Sequence, residues 1–243
     1  MLKNVGVRTY PERGVHGEIV HTLGFQIVAG QLAPGTALVP ELVGEKFHAS
    51  RTVVREAFKV LASKGLVDSV QKRGTFVTPS QSWNRLDPDV LNWHFDSAPG
   101  SSTLESVSEV RLAMEPFAAS LAAMRRDDDD IERMGDALLL MAQAVRKGSL
   151  DPDLFTDADL QFHRALFDST KNEILTGFFQ VMQSGLATRD RMVHSQRKFT
   201  EENVREHRRV LDAIIARESD QAEKQMRQLI LAAASEQQGA ATE

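Results

Sequence analysis

SRTVVREAFKVLASK, residues 50–64, decides the architecture of the N-terminal part of the chain. The stretch predicts a helix, because its apolar residues recur at the spacing of one helix face. These residues are Val54, Ala57, Phe58 and Leu61. Ser50 is suited to cap the first turn, since a serine oxygen can accept a hydrogen bond from a free backbone N–H there. Gly65 is suited to end the helix.

The segments around this helix complete a recognisable unit. Two short β-prone runs follow it, 66–70 and 75–78, around the basic turn Gln71-Lys72-Arg73-Gly74. Upstream, apolar residues line one face of a helix predicted over 15–29, and a short second helix fits Glu41–Phe47. Three helices followed by a hairpin predict a winged helix-turn-helix.

The outer face of the third helix and the hairpin turn carry groups that contact DNA in such folds. The candidate DNA-binding residues are Ser50, Arg51, Thr52 and Arg55 on the helix, and Gln71, Lys72, Arg73 and Gly74 in the wing. Arginine can bind a guanine edge with two hydrogen bonds, and Ser or Thr can contact phosphate or base. Arg51 and Arg55 alone could be a solvated helix face. The complete string of helix, tight turn, arginine helix and basic hairpin favours DNA binding.

The charge distribution agrees with a DNA-binding module on an acidic body. The net charge is −5, but residues 1–80 hold ten Lys/Arg and six Asp/Glu, a balance of +4. Residues 81–243 hold 19 and 28, a balance of −9. The chain has no cysteine, its apolar runs are too short for a membrane span, and its start has no apolar signal core. We therefore expect a cytoplasmic protein.

Beyond the predicted DNA-binding domain, 1–78, we expect a linker and then an all-α domain. The linker, 79–103, is rich in Pro, Ser, Asp and Asn and holds both tryptophans, which suggests that it packs against a domain. Helical periods then predict helices at 104–124, 128–147, 152–170, 172–194, 200–217 and 219–237. The predicted fold class is mainly α, with a C-terminal antiparallel all-α bundle over 104–237.

Four polar residues interrupt the apolar faces of these helices: Arg111, Asp159, His163 and His207. Buried charge is costly unless it is paired or solvated, so several helices with inward polar groups predict a polar pocket in the bundle. Asp159 and His163 lie one turn apart, and with His207 they could supply three ligands to one divalent metal. A hydrogen-bonded core network without metal explains the same pattern and, on the residues alone, is the favoured alternative.

At this point a family resemblance is visible. Residues 15–78 resemble the winged helix-turn-helix of the GntR family, and residues 104–236 resemble the FCD ligand-binding domain of that family's FadR branch. The first match is carried by IVAGQLAPGTAL (27–38), SRTVVREAF (50–58), GLV (65–67) and RGTFV (73–77). The second is carried by SEVRLAMEP (108–116), DADLQFHRAL (157–166) and REHRRVLDAI (205–214). With WNRLDPDVLNW (83–93), the chain is similar to the galactonate-operon repressors of the family, which sense a sugar acid.

The resemblance implies partners and site residues. It implies a homodimer, a double-stranded DNA operator, and a small carboxylate effector, such as an aldonate, bound by Arg111, Asp159, His163 and His207. It also implies a divalent metal such as zinc on the last three of these residues. Leu229 stands where the family usually has a further histidine ligand, so a three-ligand site and a loss of the metal both stay open. Pro40-Glu41-Leu42 stands where relatives often carry an arginine early in the second helix.

These observations predict a transcriptional regulator, a repressor controlled by a small acid, and not an enzyme. The alternative is a metal-dependent enzyme in which Asp159, His163 and His207 of the helical domain act on a small acid. Against it, no obvious general base or nucleophile accompanies these residues, and the predicted helical domain, 104–237, lacks the repeated Glu-x-x-His motifs of bundle metalloenzymes. A DNA-binding protein with an inert helical body is a third hypothesis, which the inward polar residues disfavour.

Overall fold

A computed structural model describes residues 10–11, 14–97, 102–146, 150–179, 183 and 199–240 of the protein. Over this range the chain is mainly helical, as the sequence predicts, and it has one three-stranded sheet. It divides into two compact units, Met1–Ser101 and Ser102–Glu243. Among the described residues, no helix combines the length and apolar character that a membrane span requires.

The N-terminal unit is a winged helix-turn-helix. Its elements are α1 (Gly14–Val28), β1 (Ala37–Leu38), α2 (Pro40–Phe47), α3 (Arg51–Ser63), β2 (Val67–Val70), β3 (Gly74–Val77), a 3-10 turn (Ser80–Ser82) and α4 (Pro88–Ser97). The strands form an antiparallel sheet in the order β1-β3-β2. The sequence did not predict β1, because two residues are too few for a periodic pattern and only pairing with β3 makes them a strand.

The boundaries of α3 follow from local chemistry. The backbone N–H of Val53 donates to the Ser50 side-chain oxygen at 3.4 Å, so Ser50 caps the helix as predicted. Gly65, with φ of +74°, follows its last turn in the left-handed conformation that glycine adopts readily. The inner face of α3 packs on α1 in one apolar core, where Leu61 is fully buried. Truncation of such a side chain costs about 2–5 kcal/mol, so Leu61→Ala would remove much of the unit's stability.

The segment predicted as a linker packs with the N-terminal unit over its described part. Trp93 on α4 is 4% exposed and lies in the same core as α1 and α3. A Cβ atom added to Gly24 of α1 would lie 2.2 Å from the Trp93 ring, so the indole needs a glycine opposite it. The first compact unit therefore extends to Ser101, beyond the boundary at residue 78 that the sequence predicts.

Charge also fixes this segment to α3. Lys64, at the end of α3, is buried, and its ammonium group lies 2.9 Å from Asp87 and 2.6 Å from Asp89. Burial lowers the pKa of Lys64, but hydrogen bonds and attraction from the two carboxylates outweigh it, and the pKa is raised. The acidic residues that make the segment look like a linker are thus the counter-ions of a buried lysine.

The C-terminal unit is a bundle of helices. They are α5 (Ser102–Arg125), α6 (Asp128–Ala144), α7 (Pro152–Ser169), α8 (helical over 173–179), α9 (Glu201–Ile215) and α10 (Ser219–Ala240). The predicted helix at 172–194 falls mostly outside the described residues. The other five predicted helices are present with ends that differ by a few residues, as fraying termini allow.

Packing within the bundle positions the candidate site. α5 contacts α7, α9 and α10, and their apolar side chains form one buried core around the fully buried Phe162. On α7, His163 lies one turn after Asp159, and on α9, His207 lies one turn after Asn203. The helix faces that carry these residues, and the face of α5 that carries Arg111, point into the bundle. Apolar residues on the same helix faces are buried.

Candidate functional site

All eight residues predicted to contact DNA are exposed on the N-terminal unit. Those on α3 lie in its first two turns, the part of a recognition helix that reaches base edges. Those of the wing lie in the turn between β2 and β3, where Lys72 has φ of +63° and Gly74 has φ of +108°. The tight turn leaves the Lys72 and Arg73 side chains in solvent, free of the sheet.

One contact on this face was not predicted. Nη2 of Arg51 lies 3.4 Å from Oε1 of Glu41, the residue at the start of α2 where relatives often carry an arginine. Both side chains are largely exposed, 77% and 46%, so the pair adds little to stability. Its consequence is electrostatic, since the carboxylate offsets one positive charge of the surface that would face phosphate.

The four predicted pocket residues converge inside the bundle. Arg111, His163 and His207 are buried, and Asp159 keeps 20% of its side chain exposed. Oδ1 of Asp159 lies 2.9 Å from Nε2 of His207 and 3.8 Å from Nε2 of His163. Nη2 of Arg111 lies 3.4 Å from Nε2 of His163. Residues from α5, α7 and α9 thus form a single charged site.

The hydrogen positions on His207 follow from its neighbours. Nδ1 lies 2.7 Å from the backbone oxygen of Asn203, and a carbonyl only accepts, so Nδ1 carries the hydrogen. In the neutral ring, Nε2 is then a lone pair that faces the Asp159 carboxylate. Nε2 is buried and lies 2.9 Å from Oδ1 of Asp159. Two acceptors at this distance repel unless a proton or a metal cation lies between them.

Glu115, which the sequence analysis missed, belongs to the same site. It is 2% exposed; its Oε1 accepts from Nε of Arg111 at 2.6 Å, and its Oε2 lies 2.9 Å from Nδ1 of His163. Burial raises the pKa of this carboxyl, but Arg111 and His163 outweigh it and lower the pKa to about 2. Its position was a usable signal, since Glu115 follows Arg111 by one turn on the same inward stripe.

The other titratable groups respond to the same charges. Burial opposes ionisation of Asp159, but the cationic neighbours, His163 first among them, hold the pKa of its carboxyl well below the usual range. Burial also opposes charge on His163, but the Glu115 and Asp159 carboxylates overcome it, and the His163 pKa is raised. The site therefore favours two carboxylates, one guanidinium and a histidine that holds its proton.

A small pocket opens on one side of this site. It is lined by Arg111, Phe155, Thr156, Asp159, Phe199, Asn203, Glu206, His207, Leu229 and Ala233. The lining combines polar groups with apolar side chains, the usual make-up of a small-molecule site. Leu229 is among the apolar residues of the lining, so it lies at the site. Within the described residues, Asp159, His163 and His207 are the group that could hold a metal ion, with ligand atoms all within 4.8 Å of one another.

The fold defines a winged-helix DNA-binding regulator with an attached helical domain, and comparison with known proteins makes this specific. The gntR family of bacterial regulatory proteins matches residues 16–77, and the FCD domain matches residues 106–232. The chain belongs to the GntR family of transcriptional regulators and carries an FCD domain.

Individual relatives agree. The chain is 34% identical over 212 residues to the galactonate operon transcriptional repressor of Escherichia coli, covering 85% of this chain and 89% of the relative. It is 33% identical over 206 residues to the transcriptional regulator LutR of Bacillus subtilis, covering 81% and 89%. The solved structure of E. coli McbR/YncC shares the fold, with a TM-score of 0.53 at 19% identity over 91% of this chain and 96% of that one. The two relatives compared by sequence are regulators, so the enzyme alternative finds no support among them.

Proposed function

We propose that this regulator is a repressor whose operator binding is released by a small carboxylate, a sugar acid such as an aldonate. The observation that carries the proposal is the charged site inside the bundle: Arg111, Asp159, His163 and His207 converge beside a pocket lined by both polar and apolar side chains. The similarity to a galactonate operon repressor supports both the sign of regulation and the class of acid.

DNA binding is assigned to the exposed face of α3 and the wing. Ser50, Arg51, Thr52 and Arg55 would enter the major groove, and Gln71, Lys72, Arg73 and Gly74 would reach the neighbouring backbone or minor groove. The exposure of all eight residues supports this assignment. We expect Arg55 to contribute most to base specificity, because the Arg51 side chain is already paired with Glu41.

The effector's carboxylate is assigned to Arg111, with its hydroxyl groups toward Asp159 and His207. A guanidinium has two edges that can hold a carboxylate with paired hydrogen bonds. In this site Glu115 accepts from Nε and Nη2 of Arg111, so one edge is taken. Nη2 also lies 3.4 Å from Nε2 of His163, so the acid would compete with these partners for the guanidinium.

A divalent metal such as zinc is assigned to Asp159, His163 and His207. Two observations support the fit: the three ligand atoms lie within 4.8 Å of one another, and Nε2 of His207 and Oδ1 of Asp159 lie 2.9 Å apart although they come from different helices. One carboxylate and two imidazoles suit zinc and similar ions, at about 2.0–2.2 Å from each atom, so the three would need to draw closer. A bound metal would supply a positive charge for the acid. Leu229 leaves the set at three protein ligands.

The active species is assigned as a homodimer on a near-palindromic operator. One short recognition helix makes few base contacts, and two-fold symmetric proteins double them on two half-sites about one helical turn apart. Light scattering of the full chain, alone and on a selected operator duplex, measures this directly. A stable monomer on specific DNA would refute the dimer.

The central experiment joins the two halves of the proposal. The operator is first obtained by selection from random duplexes, and its release is then titrated with aldonates, other sugar acids and lactate, with and without Zn²⁺. Thermal shifts measure binding in parallel, since a ligand of the folded state must raise stability by mass action. We expect an aldonate to stabilise the protein and to weaken operator binding. Release by none of the acids would refute the sensor assignment.

A further inference from the structure

We propose that Glu115 is a positioning residue. Its carboxylate orients both His163, a candidate metal ligand, and Arg111, the cation proposed to bind the effector. Its Oε2 lies 2.9 Å from Nδ1 of His163, and its Oε1 accepts from Nε of Arg111 at 2.6 Å. This inference rests on the proposed function of the site, and it adds a residue that neither the motifs nor the ligand spacing identify.

The tautomer of the His163 ring follows from its two neighbours, Arg111 and Glu115. Nη2 of Arg111 lies at hydrogen-bond distance, 3.4 Å, from Nε2 of His163. A guanidinium only donates. In the neutral ring, which is the form that can bind a metal, Nε2 therefore accepts and the hydrogen is on Nδ1. Nδ1 faces Oε2 of Glu115, which favours this tautomer over the other. The Nε2 lone pair is thereby turned toward the side of Asp159. A carboxylate behind a histidine orients metal ligands in this way in many proteins.

Arg111 and a metal ion would compete for the Nε2 lone pair of His163. Nη2 of Arg111 donates to the same Nε2 atom that a metal ion would use. Arg111 also places a positive charge next to any cation in the site. Removal of Arg111 should therefore strengthen metal binding, while removal of the Glu115 carboxylate should weaken it. A carboxylate that served only as the counter-ion of Arg111 would not produce this opposite pair of effects.

The burial and the contacts of the Glu115 carboxylate suit it to this role. Glu115 is 2% exposed and contacts both Arg111 and His163, so its two oxygens are fixed from two sides. It lies on α5, whereas the three candidate ligands lie on α7 and α9. Glu115 thus ties the orientation of a ligand on one helix to the orientation of Arg111 on another. Loss of the carboxylate would loosen both groups at once.

The test uses the full chain and metal alone as the probe. Zn²⁺ affinity is measured by competition with a chromophoric chelator, and the Co²⁺ absorption spectrum reports ligand geometry. The variants are Glu115→Gln, Arg111→Gln, the double variant, and Glu109→Gln as a control on the exposed side of the same helix. We expect Glu115→Gln to weaken Zn²⁺ binding roughly 10–100-fold and to change the Co²⁺ spectrum. Arg111→Gln should bind more tightly than the wild type, and Glu109→Gln should match it.

The design separates failure to fold from failure of the inference. Glu115→Gln leaves Arg111 buried without its main counter-charge, which can unfold a protein. In that case, Arg111→Gln is compared with the double variant, which isolates the Glu115 effect without the stranded charge. Unchanged Zn²⁺ affinity in that comparison, or in Glu115→Gln itself, would overturn the inference alone. A wild type that binds neither Zn²⁺ nor Co²⁺ would overturn the metal assignment and this inference with it.

Discussion

Nε2 of His207 lies 2.9 Å from Oδ1 of Asp159, although Nδ1 of the same ring is committed to the Asn203 carbonyl. In the neutral ring, a lone pair on His207 therefore faces the Asp159 carboxylate from a different helix. The contact becomes favourable when a proton or a metal cation is added, and unfavourable when both are absent. The contact between α7 and α9 thus depends on what the site contains.

The first prediction concerns Arg55. Arg55→Ala should weaken operator binding by about 1–3 kcal/mol and relax base preference at one position, because a guanine contact would be lost. Lys59→Ala is the matched control, since Lys59 is exposed one turn further along α3 and paired with Glu56. Affinities for the selected duplex and its single-base variants, at one salt concentration, measure both effects. Wild-type affinity and specificity in a triple Arg51, Arg55 and Arg73 alanine variant would refute the DNA-binding face.

The second prediction concerns Arg111. Arg111→Ala should leave operator binding nearly unchanged but abolish release by the acid, since an effector acts only through its different affinity for two states. Arg205→Ala is the control, a 60% exposed arginine on α9. Titration of the protein–DNA complex with the acid gives the answer. A variant that responds like the wild type would make Arg111 a structural residue.

The third prediction concerns Leu229. Leu229→His on α10 should place a fourth ligand at the pocket wall and tighten Zn²⁺ binding by about tenfold or more, because closed zinc sites have four protein ligands. Leu231→His is the control, since Leu231 is 50% exposed. Chelator competition measures both variants. Equal affinities for the two would contradict the placement of Leu229 beside the metal ligands.

The fourth prediction concerns pH. The pKa of Glu115 is about 2 in the folded protein and 4.5 normally, so its contribution to stability is complete above about pH 4.5 and is lost as the pH falls toward 2. The raised pKa of His163 acts in the opposite direction: its contribution is complete below about pH 6.5 and is lost as the pH rises through the folded value. Denaturant unfolding of metal-free protein across this range should show both losses. In Glu115→Gln the acid loss should shrink, and an unchanged acid limb would contradict the ion pairs.

The fifth prediction concerns Gly24. Gly24→Ala should destabilise the N-terminal unit by about 1–3 kcal/mol, since the added methyl group would overlap the Trp93 ring. Gly135→Ala is the control, because nothing lies within 4 Å of its added Cβ and alanine favours the helix. Unfolding followed by tryptophan fluorescence tests the docking of α4. Equal stability of Gly24→Ala and wild type would show that α4 does not pack there.

The sequence alone determined the features that depend on neighbours within a turn or two. The stretch from Ser50 to Lys64 forms α3 because its cap, its apolar spacing and the glycine after it all act locally. His163 and His207 were recognised as inward because an interruption of a periodic apolar stripe is visible without knowing what lies opposite.

Tertiary structure decided the features that depend on partners distant in the chain. The segment with Asp87 and Asp89 resembles a linker until Lys64 is placed against it, and Glu115 resembles an ordinary helix glutamate until His163 from α7 meets its carboxylate. Strand β1 exists only through its pairing with β3. Each of these groups is stable in its position because a charge or a backbone polar group is satisfied by a residue that local sequence does not specify.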